Sequence, residues 1–270
     1  MNKFKLSKIF IYPVKSMGGI SIKTSVITNR GLQYDRRWLL VDKNNIFITQ
    51  RILPKMALLS TSIENGMIKI KHKIKNFEPI SFPQNINEGE VLKVKIWNDS
   101  CTALHFDSTL DNWLSKTLNI NCKLVYMPDT TFRPIDKNYG KENDIVSFAD
   151  SFPFLIIGQS SLNDLNQRLK THVPINRFRP NFVFSGGKPF DEDNLNKIKI
   201  GEVVFLVVKP CARCVITTTD QDTSIRNKEP LLTLNSYRKA NNKVMFGQNL
   251  IHQNLGKVSV SDEIIVLERK

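Results

Sequence analysis

The chain has 270 residues, 41 % hydrophobic and 24 % charged, with 12 Gly and 12 Pro; this balance excludes disordered, collagen-like and low-complexity classes and fits one large domain or two modest ones. Its 39 Lys and Arg against 25 acids leave a net charge of +14, which suits an anionic ligand, nucleic acid or an acidic protein partner without choosing among them. No apolar run reaches the ~20 residues of a membrane helix, the apolar stretch after Lys3, Lys5 and Lys8 is too short for a secretory signal, and four unevenly spaced cysteines make no disulfide framework, so a soluble cytoplasmic protein is expected.

Residues 4–12, 20–28, 38–41, 46–49, 68–74 and 92–97 carry short β-type runs. In 68–74, Ile68, Ile70 and Ile74 alternate with Lys69, Lys71 and Lys73, the period of a strand with one wet face. Asp107 or Ser108 can cap a helix through Leu110, Trp113, Leu114 and Leu118, whose spacing of three and four makes one apolar face. The polar segment 128–143, with Pro128, Pro134 and Gly140, reads as a connection and divides the chain into 1–126 and 127–270. Beyond it, a strand at 154–157 leads to a helix capped by Ser160 or Ser161, with Leu162, Leu165 and Leu169 as its buried stripe. Strands are predicted at 181–185, 203–208, 214–219 and 257–267, with a short helix over 229–237, where Pro230 suits the first turn. Strands without regularly alternating helices indicate a β-rich α+β fold rather than a doubly wound sheet.

Two constellations could carry chemistry. Pro210-Cys211-Ala212-Arg213-Cys214 lies between an apolar run and Thr217 to Thr219. It admits half of a zinc site, although His72, His105, His172 and His252 offer no partner spacing. It also admits a redox pair, a single thiolate ligand for a soft metal with Arg213 favouring the thiolate and binding an anion, or two buried cysteines. Asn176-Arg177-Phe178-Arg179-Pro180-Asn181 places two guanidinium forks before an apolar strand, either as an anion-binding rim or as a solvated basic turn. Lys15-Ser16 and Asp35-Arg36 leave the same choice open.

In their order along the chain these motifs resemble the MOSC family, specifically two-domain members similar to the mitochondrial amidoxime-reducing component and its bacterial relatives. Tyr12-Pro13-Val14-Lys15-Ser16, Gly31-Leu32 with Asp35-Arg36-Arg37-Trp38, and Thr49-Gln50-Arg51 resemble the N-terminal β-barrel domain. Ser147-Phe148-Ala149-Asp150, Ser161-Leu162-Asn163-Asp164-Leu165-Asn166, Arg177-Phe178-Arg179-Pro180-Asn181 and Cys211-Ala212-Arg213-Cys214 with Thr217-Thr218 resemble the MOSC domain, as do Glu229-Pro230-Leu231, Tyr237-Arg238 and Phe246-Gly247-Gln248-Asn249. The fold implied is an N-terminal β-barrel-like domain over 1–126 and a MOSC β-barrel domain over 127–270, with a few peripheral helices.

The resemblance implies a molybdenum cofactor, a pterin whose dithiolene holds the metal, with Cys214 as the further sulfur ligand and a catalytic residue. A thiolate suits a soft, redox-active metal. By motif position, Lys15, Ser16, Arg36, Arg179, Asn181 and Arg213 would hold the pterin and its phosphate. Asp150, as a second catalytic residue, and Ser151 would line the metal site, while Cys211 is assigned to the core. Pyridoxal phosphate is a second group that the family resemblance admits. The implied reaction is two-electron reduction of small N-hydroxylated substrates such as amidoximes, hydroxylamines and N-hydroxylated bases. No GxGxxG fingerprint and no plant-type iron–sulfur spacing is present, so electrons are expected from a separate ferredoxin, flavoprotein or cytochrome drawn by the positive charge. The membrane anchor of the mitochondrial relatives is not expected here. The competing reading is a cofactor carrier or sulfur-handling module without reductase activity. Scattered basic residues without interleaved aromatics argue against specific nucleic-acid binding.

Overall fold

The protein was analysed as a computed structural model, which describes residues 3–270. Seven strands close into a barrel. In ring order they are Phe154–Gly158, Phe182–Ser185, Phe4–Ile11, Glu263–Arg269, Leu195–Ile200, Val203–Ala212 and Lys243–His252, the last pairing back onto the first. Closure leaves no free edge within the ring. Neighbours run antiparallel except Phe154–Gly158 and Phe182–Ser185, which are parallel and are connected through the helix Gln159–Arg168.

Strand periodicity fills the barrel. In Phe4–Ile11, Phe4, Leu6, Ile9 and Ile11 are buried while Lys5 and Lys8 are exposed, and a register shift between Leu6 and Lys8 keeps Ile9 inward. At the centre Phe154 stacks on Phe182 with centroids 5.5 Å apart and meets Phe205 edge-on at 5.2 Å. Such pairs add roughly 0.5–1.5 kcal/mol each beyond the area they bury. The strand Phe154–Gly158 is buried on both faces, because the helix with Leu162 and Leu165 covers its outer side.

Residues 38–126 build a second unit. One sheet has the order Trp38–Val41, Lys123–Tyr126, Asp99–His105, Glu90–Ile96, and another the order Leu59–Glu64, Met67–His72, Ile80–Pro83. Trp38, fully buried, meets Phe82 and Tyr126 at 4.9 Å each, and the helix Ser108–Leu118 packs Leu110, Leu114 and Leu118 into the same core. The two units are interleaved along the chain. Phe4–Ile11 is a member of the seven-stranded ring, and Thr24–Thr28 pairs with Gly256–Ser259, so residues from both sides of 126/127 share one core.

Several local expectations are corrected. Residues 214–219 form no strand: Cys214 precedes a 3₁₀ turn, Val215–Thr218. The Thr217 and Thr218 hydroxyls donate to the carbonyls of Cys214 and Val215 at 3.0 and 2.8 Å, satisfying the backbone locally and overriding β-branched propensity. Residues 257–267 split into Gly256–Ser259 and Glu263–Arg269 around Ser261, whose φ is 78°, and 20–28 split into Ile20–Ile22 and Thr24–Thr28. Residues 46–49 make only isolated bridges, Ile46 to Lys95 and Phe47 to Val41. Asp107 is the cap of the first helix, but neither Ser160 nor Ser161 caps the second. Its N-cap is Gly158, and the buried Glu192 carboxylate accepts from Gly158 N at 3.1 Å and Ser161 Oγ at 2.8 Å.

Candidate active site

A cleft of about 440 Å³ opens at one end of the barrel, where the second unit meets it. Lys15, Ser16, Arg36, Asp150, Ser151, Arg179, Asn181, Arg213 and Cys214 all line it; the fold therefore gathers every site residue nominated from sequence. Arg51, Lys209 and Cys211 line it as well.

One wall is built on Tyr12, just past the end of the first strand. Its backbone N–H donates to Asp35 Oδ1 at 2.7 Å and its hydroxyl to the Pro180 carbonyl at 3.1 Å. The Arg36 and Arg179 guanidiniums lie 4.5 and 4.2 Å from its ring centroid, within cation–π range. Burial pushes the Tyr12 phenol up to about 12, against the pull of the two arginines, so at neutral pH it presents an uncharged ring. Arg36 donates to Asp35 Oδ2 at 2.6 Å, to Asn181 Oδ1 at 3.2 Å and to the Arg179 carbonyl at 3.2 Å. Burial opposes its charge, but the Asp35 carboxylate more than compensates and raises it. Asn181 is a brace here, since its amide also accepts from Leu155 N at 3.3 Å and donates to the Phe10 carbonyl at 3.2 Å.

Ser16, Arg36 and Arg179 share an uncommon backbone, with φ of 67°, 51° and 54°. Left-handed non-glycine residues cost of order 1 kcal/mol or more and gather at functional sites. Arg179 spends one nitrogen on the Met17 carbonyl at 2.7 Å, while its Nη2 is buried without a hydrogen-bond partner. Burial, with Arg36 nearby, draws Arg179 down to about 10, which leaves it charged at neutral pH.

The opposite wall centres on Asp150. The buried Lys15 ammonium donates to Asp150 Oδ1 and to the Phe148 carbonyl, both at 2.6 Å, and Arg51 donates to Asp150 Oδ2 at 2.7 Å. Burial brings Lys15 down to about 8 in spite of its carboxylate partner. Desolvation in the cleft works against charge on Asp150, yet the flanking Lys15 and Arg51 cations outweigh it and hold the carboxyl well below the usual range, although 46 % of its side chain is exposed. Burial works against the charge on Arg51, but Asp150 and Cys214 raise it; its Nη1 has no partner.

Two bulges, between Val207 and Lys209 and between Pro210 and Ala212, bend the Val203–Ala212 strand as it approaches Cys214. Arg213 donates to Cys211 Sγ at 2.9 Å and to the Phe178 carbonyl at 2.6 Å. Cys211 is half-buried and packs against the cluster that holds Phe178 and Phe246. Among the described residues no three His, Cys, Asp or Glu side chains gather as metal ligands, so the cysteine pair builds no multi-ligand zinc site there.

Sequence reasoning did not assign Arg51, Lys209 or Trp97 to the site. Arg51 and Lys209 carried local signals, one in Thr49-Gln50-Arg51 and the other directly before Pro210. Trp97 carried none: its indole N–H approaches Asp150 Oδ1 at 3.4 Å only through the fold.

Residues 3–121 match the MOSC N-terminal beta barrel domain and residues 143–265 the MOSC domain. Mitochondrial amidoxime-reducing component 1 of Mus musculus is 31 % identical over 282 residues, covering 97 % of this chain and 82 % of its own. Mitochondrial amidoxime reducing component 2 of Rattus norvegicus is 31 % identical, covering 96 % and 82 %. Molybdenum cofactor sulfurase of Oryza sativa subsp. japonica is also 31 % identical, but the match covers 93 % of this chain and only 33 % of that protein.

Proposed function

The chain belongs to the MOSC family, and on that premise we propose that its cleft holds a molybdenum cofactor and that the protein reduces small N-hydroxylated compounds. The observation that carries this reading is the meeting of one soft thiol, Cys214, with the cations of Lys15, Arg36, Arg51, Arg179 and Arg213 around a single cleft. Arg51 and Arg179 each keep a buried nitrogen without a partner. Such a donor costs roughly 1–3 kcal/mol while it stays unpaired, and a multiply anionic ligand removes that cost. The residues present therefore fit an anionic, sulfur-ligated cofactor.

Lys15, Ser16, Arg36, Arg179, Asn181 and Arg213 would hold the pterin and its phosphate, Cys214 would supply the protein thiolate, and Asp150 and Ser151 would border the metal. Bound there, the group supplies two-electron redox chemistry and an open position for a substrate oxygen. The chain's own residues bind and orient. Tyr12 fixes the planes of Arg36 and Arg179 by stacking, and Asp35 and Asn181 fix Arg36 by hydrogen bonds. Asp150 ties Lys15 to Arg51. The overall conversion, R–NHOH + 2e⁻ + 2H⁺ → R–NH₂ + H₂O, consumes two protons. Lys15 Nζ can hold one in the cleft, with Asp150 linking it to solvent. The electrons would come from a separate acidic ferredoxin, flavoprotein or cytochrome, steered by the +14 charge. Among the described residues no helix is long and apolar enough to cross a membrane.

The rice sulfurase relative favours a second reading, a module that holds the cofactor or handles its sulfur without reducing a substrate. Protein purified from a molybdenum-replete host separates the two. Near-stoichiometric molybdenum with released pterin, and turnover of an amidoxime with a chemical reductant, is the expected result. Loaded protein that reduces no N-hydroxylated compound would leave the carrier reading standing, and zinc without pterin would overturn both.

A further inference from the structure

Trp97 stands on the rim of the cleft and has no part in holding the cofactor as described above. It occupies the turn between the strands Glu90–Ile96 and Asp99–His105, with a left-handed φ of 55° and 44 % of its surface exposed. A tryptophan gains nothing for a hairpin from that conformation, which glycine or asparagine adopts at less cost. Yet its ring is held firmly. The Arg51 guanidinium lies 4.5 Å from the ring centroid, Phe47 meets it edge-on at 5.0 Å, and its N–H approaches Asp150 Oδ1.

Those contacts define where the indole sits. Arg51, Asp150 and Cys214 all line the cleft, and Trp97 touches the first two, so Trp97 extends that side of the cleft outward. With Arg51 over the ring, Trp97 still leaves 44 % of its surface open. The walls thus differ in kind. The Tyr12 wall presents guanidiniums and selects anions; the Trp97 rim presents an aromatic surface beside a partly exposed carboxylate, which selects flat, delocalised groups that donate hydrogen bonds.

Resting on the reductase reading, we propose that Trp97 is the specificity-determining residue for the organic part of the substrate. Its indole takes the planar aryl portion of an aryl amidoxime, Asp150 accepts a hydrogen bond from the amidoxime NH₂, and the N–OH end is directed toward Cys214. No bond to Trp97 forms or breaks; it selects and orients.

The test compares benzamidoxime with acetamidoxime in loaded wild-type, Trp97→Phe and Trp97→Leu proteins. Leu keeps an apolar side chain but loses the aromatic face, so the benzamidoxime KM should rise about fivefold more than the acetamidoxime KM. Trp97→Phe should restore most of that difference, and molybdenum and pterin content should stay at the wild-type level in both variants. Equal losses on both substrates would overturn the proposal and make Trp97 a support for Arg51; loss of molybdenum in both variants would overturn it in favour of a cofactor-holding role. A second readout does not depend on turnover. Benzamidoxime should quench tryptophan fluorescence in the wild type and not in Trp97→Phe, which retains Trp38 and Trp113; identical quenching in the two would also overturn it. Should the loaded wild type bind benzamidoxime through Trp97 but reduce neither compound, the reductase reading fails and the binding site for the aryl group stands.

Discussion

The barrel interior and the cleft at its end are made by the same strands under opposite rules. Inside the barrel, apolar side chains fill the interior, aromatic rings meet at 5.2 to 5.5 Å, and every strand of the ring has a partner on each side. At the cleft, four non-glycine residues, Ser16, Arg36, Arg179 and Asn241, take left-handed backbones, charges are buried, and two arginines keep unpaired nitrogens. The barrel rests on mutually consistent packing, and the cleft joins strained backbone to buried charge.

The sharpest break between the two regions should come from Cys214→Ser. Molybdenum retention should be abolished while the unfolding midpoint stays near that of the wild type, and Cys211→Ser should keep most of the metal; elemental analysis beside a urea titration reads both. Equal loss in the two variants would remove the ligand assignment. The converse variant is Phe205→Ala, which empties the site between Phe154 and Phe182. It should cost about 3–5 kcal/mol of stability, measured by denaturant unfolding. A loss under 1 kcal/mol would mean the barrel core is not where stability resides.

A smaller effect follows from Lys15. Its folded-state value is lowered to about 8 from 10.5, so its positive charge is lost as pH rises through 8. Above that point the binding of an anionic cofactor must take up a proton, and apparent affinity should fall by up to about tenfold per pH unit. Cofactor-free protein should show the opposite trend in stability. Between about 8 and 10.5 only the unfolded chain still holds the Lys15 proton, so this residue's contribution rises with pH there. Retention measured from pH 7 to 9.5 tests the first statement, and a flat profile would show that Lys15 does not meet the anion. The smallest effect is that of Ser16→Gly, which relieves a left-handed serine and should add up to about 1 kcal/mol to the cofactor-free protein. Destabilisation would show that the Ser16 side chain, rather than its backbone, supports the cleft.

Much of this contrast was legible in the chain, and the exceptions share a cause. The β-type run over 4–12 and the apolar stripe of Leu110, Leu114 and Leu118 are local signals, and both elements form, the strand as Phe4–Ile11 and the helix as Ser108–Leu118. Lys15, Arg36, Arg179 and Cys214 lie in separate motifs whose order carried the family resemblance, and they line one cleft. What the local pattern could not supply was partnership over distance. Nothing in residues 4–11 announces that they pair with 182–185 and 263–264. Nothing near Trp97 points to Asp150, 53 residues away, and Arg51 reaches the same carboxylate across 99 residues. The misread strand at 214–219 failed differently: β-branched residues do favour strands, but two threonine hydroxyls turned back onto the backbone first.

The first strand of the barrel has a consequence for the newborn chain. Phe4 pairs with Ile264, and the neighbouring Lys3 and Glu263 are 260 positions apart. At about 5–20 residues per second on a ribosome, that separation is a wait of between about 10 and 50 s. Through that wait the Phe4 end of the strand lacks its Glu263–Arg269 neighbour, although Ile20–Ile22 pairs with the far half soon after it is made and Phe182–Ser185 joins before the wait ends. Lys5 and Lys8, exposed on that strand, place two positive charges along it, and like charges on two such strands disfavour their pairing with one another before Glu263–Arg269 arrives.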